Sequence, residues 1–188
     1  MSTKNKPIVQ TKSSEKVSRF LEKNALHKKD FAEMIGVTLS YVYNLIDNTI
    51  PFSTRSTTLE RIATVMEVEP EIFEEYKIPQ EPILIDESIE FIHSQLKRKN
   101  MTTVNFLKAF PRKKRLDIVD MLRGVLPLPI DYKELSMIGQ ILELDKEEIY
   151  GLWETRVKQV LESAGINIYA NSALVDAMFS CAEKYALK

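Results

Sequence analysis

The chain has 188 residues, of which 44% are hydrophobic and 28% charged, so wholesale disorder is excluded and one domain or two small ones are expected. No apolar run reaches the roughly 18 residues of a membrane-spanning helix, and the N-terminus carries no hydrophobic signal core. The single cysteine, Cys181, excludes an internal disulfide, and two histidines exclude an ordinary zinc site. We therefore expect a cytoplasmic protein without metal or cofactor.

The net charge of −1 hides a segregated charge pattern. Five acids and no base lie between Ile62 and Tyr76, whereas eight Lys/Arg and no acid lie between Lys97 and Arg115. Because local basic patches, rather than total charge, set the affinity for a polyanion, the second stretch is a candidate nucleic-acid contact. The alternative is an ordinary solvated helix face.

The first part of the chain predicts short helices joined by tight turns. Residues 1–13 are polar, lack helical periodicity and are predicted to form a flexible arm. Apolar spacing predicts a first helix from Ser14, a second from about Lys28 to Ile35 ended by Gly36, and a third over 38–46 with Thr38 as its N-cap.

Two more helices and a linker follow. Thr57 with Glu60 forms a predicted capping box for a fourth helix, and Pro70 opens a fifth over 71–76. The proline-marked segment 78–86 is predicted to be a stiff linker.

After the linker the apolar pattern starts again at an offset of 75 to 76 residues. Pro51 corresponds to Pro127, and Asp131 with Glu134 and Asp145 with Glu148 repeat the predicted capping pattern at equivalent helix starts. The pattern predicts a second five-helix unit over 87–153, with chance alignment of amphipathic helices as the alternative. Residues 154–188 are predicted to form two further helices, the last apolar on more than one side and suited to oligomerisation.

The stretch from Lys28 to Ile46 closely resembles the helix-turn-helix of the phage repressor and Cro (XRE) family, and the similarity extends over 15–76. Ala32 is small where the second and third helices cross, Gly36 makes the turn, and Val42 and Leu45 pin the third helix. The resemblance implies an all-α fold. We expect two tandem five-helix, lambda-repressor-like units, a DNA-binding domain over 14–77 and a degenerate copy, followed by C-terminal helices.

The resemblance also implies which side chains meet DNA, because in this family the third helix enters the major groove. For either Tyr41 or Tyr43, packing on the domain surface is the alternative. Two positions depart from the family pattern, since Ile46 replaces a usual acid and Asn48 replaces the usual glycine after the third helix. The residues expected at base edges are Leu39, Ser40, Tyr43 and Asn44, and those expected near phosphates are Lys28, Thr38, Tyr41, Asn48 and Thr49.

The second unit departs further from the family. Leu107 replaces the small alanine and Pro111 stands in the turn, so the equivalent helix is not expected to insert in the family manner. Three alternatives remain for this unit: DNA contact, a structural or dimerising role, and binding of an acidic protein partner. On the first, the phosphate contacts are Arg112, Lys113, Lys114 and Arg115.

No catalytic constellation is recognisable, so the chain is not expected to be an enzyme. The sequence predicts a double-stranded-DNA-binding transcriptional regulator, a repressor, associated with the nucleoid when bound. Two units in one chain could imitate a repressor dimer, or the C-terminal helices could form a homodimer with four units. The alternative function is a protein-interaction adaptor or antitoxin-like regulator whose second unit and C-terminal helices dock a protein partner.

Overall fold

A computed structural model describes residues 12–47, 52, 54–77 and 86–186. Within these residues the secondary structure is helical, with no strand, which confirms the all-α prediction. No helix among them is long and apolar enough to cross a membrane, and no group of acids, His and Cys there could hold a metal ion. The helices are α1 (Lys12–Lys23), α2 (Lys28–Ile35), α3 (Leu39–Ile46), α4 (Ser56–Met66), α5 (Glu87–Arg98), α6 (Thr103–Ala109), α7 (Arg115–Leu122), α8 (Tyr132–Ile141), α9 (Lys146–Ser163) and α10 (Ser172–Ala186).

Several helix ends follow directly from local sequence signals. Gly36 adopts a left-handed conformation, with φ of 71°, after α2, and the Thr38 hydroxyl oxygen caps α3 by accepting a hydrogen bond from the Tyr41 amide. Asp131 caps α8, and Asp145 forms a capping box at the start of α9. The predictions at these positions are confirmed.

Two predicted helix starts are wrong. The capping box of Thr57 and Glu60 does not form, because α4 begins at Ser56 and the Glu60 carboxylate is buried and bonded to Arg123 and Tyr76. The predicted helix over 71–76 is reduced to a single 3₁₀ turn at Pro70–Ile72, after which the extended backbone places Phe73 in the core.

The arm and the C-terminal helices also differ from expectation. α1 already begins at Lys12, and the Ser13 hydroxyl donates a 2.6 Å hydrogen bond to Glu75. The remainder of the arm lies outside the described residues, as does most of the linker over 78–86. The predicted boundary near residue 154 falls inside α9, an 18-residue helix that continues to Ser163. The Trp153 ring, next to the predicted boundary, packs on Tyr150 and Phe179.

The chain forms two compact units that do not coincide with the predicted domains. One comprises 1–84 with 101–126, and the other comprises 85–100 with 127–188. The predicted domain over 87–153 is therefore divided between the two units, and the tandem arrangement is not confirmed. The physical reason is that α6 and α7 bury their apolar side chains against helices of the first unit.

In the first unit, α2 contacts α3, α4 and α7, and α4 contacts α6 and α7. Its core therefore contains side chains from both parts of the chain. Its fully buried members include Phe31, Ile35, Val42, Leu59, Ile62, Leu107 and Val119.

In the second unit, α9 contacts α5, α8 and α10. A small hydrophobic cluster of Tyr150, Val175 and Phe179 joins α9 to α10, with the Tyr150 hydroxyl donating a 2.6 Å hydrogen bond to the Phe179 carbonyl. The core of this unit also includes Ile89, Ile92, Leu135, Ile138, Leu142 and Ile149.

Candidate nucleic-acid interface

The two sides of α3 have opposite characters. Val42 and Leu45 are buried with 0% and 3% exposure, and they fix the helix to the first unit. The opposite side carries all four residues predicted to meet base edges, because positions one and four apart lie on the same half of a helix. These four exposed residues, Leu39, Ser40, Tyr43 and Asn44, are called the α3 face below.

The α3 face combines apolar and neutral polar groups. Leu39 is 39% exposed and Tyr43 is 52% exposed, which are high values for large hydrophobic side chains. The whole of α3 contains no charged residue. The face therefore offers hydrogen-bonding and apolar groups, and the charge beside it comes from α2.

Lys28 places a positive charge directly beside this face. Its Nζ lies 4.7 Å from the centroid of the Tyr43 ring, a cation–π contact that holds the two side chains together. Tyr43 therefore makes a surface contact and still remains half exposed. Both of its predicted roles, packing and DNA contact, are compatible with this position.

The start of α2 is a second feature of the same surface. His27 occupies the N-cap position without a side-chain capping bond. The first N–H groups of a helix have no intrahelical acceptor, and together with the helix dipole they favour an anion. Lys29, which sequence reasoning did not single out, is exposed here. The Lys28–Lys29 pair at a predicted helix start was the signal for it.

The other predicted phosphate contacts of the first unit have mixed positions. Thr38 is exposed at the start of α3, although its hydroxyl oxygen is already used as the cap. Tyr41 is half-buried and already interacts with another group of the protein. Asn48 and Thr49 lie outside the described residues.

The predicted phosphate contact of Arg115 is corrected by the structure. Arg115 is only 8% exposed, and its guanidinium lies against α2 and the end of α6. Nη1 is 3.4 Å from Asp30 Oδ1, Nε donates to the Phe110 carbonyl at 3.2 Å, and Nη2 donates to the Lys108 carbonyl at 3.4 Å. A guanidinium so engaged is not available to a phosphate.

The remaining cations of that cluster are in different environments. Arg112 is 55% exposed at its side chain, but it forms ion pairs of 3.4 Å with both Asp30 and Glu33. Lys113 is exposed, whereas Lys114 is half-buried and already interacts with another group of the protein. Phosphate contact by these three residues stays a prediction.

The helix that corresponds to α3 in the predicted repeat does not present a comparable face. α7 packs on α2 and α4, and Ile118, Val119 and Leu122 are buried. Burial of these side chains describes packing alone, so the expectation that this helix is not used in the family manner stays a prediction.

The segment from Lys97 to Arg115 contains no acidic residue, but in the folded chain acidic residues from other segments lie beside several of its cations. In the second unit, Arg98 pairs with Glu148 at 3.3 Å and Lys99 pairs with Glu143 at 3.4 Å. Acids distant in sequence neutralise much of the run, as Asp30 and Glu33 do for the arginines of the first unit.

Comparison with known proteins leaves the resemblance as a prediction. No family model, no curated protein and no solved structure matches this chain.

Proposed function

We propose that the protein is a sequence-specific, double-stranded-DNA-binding transcriptional regulator, a repressor, that reads the major groove with α3. The observation that carries this proposal is the α3 face. It is uncharged, exposed and rich in hydrogen-bonding and apolar groups, while its other side is fixed in a core by Val42 and Leu45. A rigid helix with this division meets the requirement for direct readout in a groove wide enough for an α-helix.

The chemistry of the α3 face favours A·T-containing sites. The carboxamide of Asn44 can accept and donate simultaneously, which matches N6 and N7 of adenine. Leu39 supplies an apolar surface for the methyl group of thymine. Ser40 and the Tyr43 hydroxyl can each donate or accept, so they add contacts without demanding one particular base.

Phosphate contact would come from the start of α2. Lys28 and Lys29 supply charge, and the uncapped first turn supplies N–H groups. We expect the logarithm of the affinity to fall linearly with the logarithm of the salt concentration, by about 0.9 per phosphate neutralised.

One chain would supply one reading helix, because α7 packs inside the first unit. Readout of two half-sites about 34 Å apart then requires a second copy of the chain. α10 offers a surface for it, since Leu174 is 64% exposed and Met178, one turn later, is 49% exposed. We therefore include a homodimer through α10 in the proposal.

The decisive experiment is selection of bound duplexes from a random library by the full-length protein. The test variant is Ser40→Ala/Asn44→Ala, and the matched control is Gln140→Ala, an exposed polar residue on α8. We expect the wild type and the control to select the same motif. The test variant should bind that motif more weakly by about 1–3 kcal/mol for each bidentate pair that is lost. Absence of any enriched motif with the wild type would contradict the proposal.

A second candidate function, a protein-interaction adaptor, is favoured by one feature of the second unit. A groove of about 530 Å³ between α9 and α10 is lined by Glu147, Glu154 and Asp176 beside Tyr150 and Phe179, and of these acids Glu154 is paired with Lys158 at 2.6 Å. Such a groove suits a cationic side chain flanked by apolar groups. Unchanged regulation in cells by Ser40→Ala/Asn44→Ala would support this function over DNA reading.

A further inference from the structure

The first unit contains a helix pair that a helix-turn-helix does not by itself require. α6 begins 17 residues and α7 begins 29 residues after the end of the linker at residue 86, yet α7 packs on α2, and both pack on α4. The contact with α2 is significant because α2 carries the predicted phosphate-binding end and is joined to α3 by only the turn at 36–38.

Arg115 is the polar centre of this contact. Its guanidinium lies 3.4 Å from Asp30 and 3.9 Å from Glu33, which stand one turn apart on α2. Its other nitrogens donate to the carbonyls of Lys108 and Phe110 at the end of α6. The planar fork of an arginine makes these contacts simultaneously, which the single ammonium of a lysine cannot do.

Leu116, the next residue, lies against the turn between α2 and α3. A methyl group added at Gly36 would lie only 2.8 Å from both terminal carbons of Leu116. The turn residue and the α7 side chain are therefore in close contact. α7 supports α2 through Arg115 and the α2–α3 turn through Leu116.

α7 is itself held in one register on α4. Arg61 makes a bidentate pair with Asp120, with both bonds at 2.9 Å. Arg123 binds Asp120 at 2.7 Å and also binds the buried Glu60. Because breaking any one partner leaves a buried charge uncompensated, this network opposes sliding of α7 along α4.

We propose that Arg115 is a positioning residue for DNA readout: it fixes the orientation of α2, and through the turn that of α3, without touching DNA. This inference rests on the proposed function. The sequence predicted Arg115 as a phosphate contact, and the proposed role differs from that one in its effect on binding. A phosphate contact raises the affinity for every duplex, whereas a positioning residue raises the affinity only for the correct site.

The test compares the full-length wild type with Arg115→Lys, which keeps the charge and loses the fork. Equilibrium binding is measured on the selected duplex and on a scrambled duplex at several salt concentrations, with Lys133→Met, at an exposed lysine on α8, as the control. We expect Arg115→Lys to lower the ratio of specific to non-specific affinity at least about tenfold, with an unchanged salt slope. Lys133→Met should leave this ratio unchanged.

Other roles of Arg115 give different results. A purely stabilising role would lower the melting temperature and leave the ratio at 25 °C unchanged, and a ratio within twofold of the wild type would overturn the proposal. A phosphate contact would appear in Arg115→Met as a salt slope reduced by about 0.9 with both duplexes weakened equally, which would also overturn it.

A second variant keeps the proposal testable if Arg115→Lys does not fold. Leu116→Ala removes the contact with the turn at a half-buried position, so it should fold and should lower the ratio in the same direction. An unchanged ratio there would count against positioning by α7. If the wild type itself shows no preference for any duplex, the proposed function fails instead, so the two failures are distinguishable.

Discussion

The environment of each charged residue decides its role. Arg115 and Lys113 are two positions apart in the same basic run, yet one is buried against carboxylates and carbonyls and the other is exposed. Glu60 is another example, since a residue predicted to cap α4 is instead buried between Arg123 and Tyr76. Buried carboxylates are retained where several donors satisfy them, and that condition is met here by residues up to 63 positions away.

The hydrogen bond that the Tyr76 hydroxyl donates to Glu60 leads to a prediction about the free energy of unfolding at alkaline pH. Burial, followed by the Glu60 carboxylate, raises the pKa of the Tyr76 hydroxyl above its ordinary value of 10.0. Because the folded-state pKa is raised, the stabilisation is complete below about pH 10 and is lost as the pH rises through the folded-state value. We expect Tyr76→Phe to lower the free energy of unfolding by about 1 kcal/mol at neutral pH.

The measurement is the free energy of unfolding from urea titrations as a function of pH. Above pH 10 the wild type should lose stability more steeply than Tyr76→Phe, so the two curves should converge. Tyr169→Phe is the control, since Tyr169 is 83% exposed, and it should follow the wild type throughout. Parallel curves for wild type and Tyr76→Phe above pH 10 would contradict the assignment.

At the scale of secondary-structure elements, α2, the turn and α3 form the best-defined part of the candidate site. The Gly36 conformation, the Thr38 cap and the two-sided character of α3 could all be predicted, because each depends on neighbours within a few residues. The contact between Gly36 and Leu116 could not be predicted, because no local pattern links residues 80 positions apart.

Two glycines allow this contact to be measured. Gly36 and Gly165 both have left-handed backbones, with φ of 71° and 80°, but an added methyl group meets Leu116 at Gly36 and nothing within 4 Å at Gly165. Alanine at either position costs about 1–2 kcal/mol for the backbone conformation. We expect Gly36→Ala to cost about 1–3 kcal/mol more, because Leu116 must move.

Native-state hydrogen exchange is the appropriate measurement, since it reports the unfolding free energy of each unit separately. The loss in Gly36→Ala should appear in amides of α2, α3 and α7. Equal losses for the two variants in their own units would show that Leu116 does not restrict the turn.

At the scale of the whole molecule, α10 has an apolar face that the other described residues leave uncovered. Leu174 and Met178 lie four residues apart on one side, while Val175 and Phe179 are buried against α9. The sequence predicted a final helix that is apolar on more than one side. A second copy of the chain would cover the exposed side and bring a second α3.

We therefore expect the protein to be dimeric and expect Leu174→Glu/Met178→Glu to weaken self-association at least about tenfold, because burying carboxylates among apolar groups is unfavourable. Sedimentation velocity over a concentration series measures this. Ile130→Gln is the control, since Ile130 is 49% exposed outside α10, and it should not change the association. A wild type that stays monomeric at all concentrations would refute the dimer.

The amino-acid sequence by itself determined the helical class, the bounds of α2 and α3, the turn between them and the side of α3 that faces outward. These features follow from helical periodicity, caps and a left-handed glycine, which act over a few residues. Only the tertiary structure decided that α6 and α7 join the first unit, that Arg115 pairs with Asp30 on α2, and that acids distant in sequence pair with cations of the basic run such as Arg98. The physical reason is that an ion pair or a buried contact depends on distance in space, and such partners are set only when the whole chain has packed.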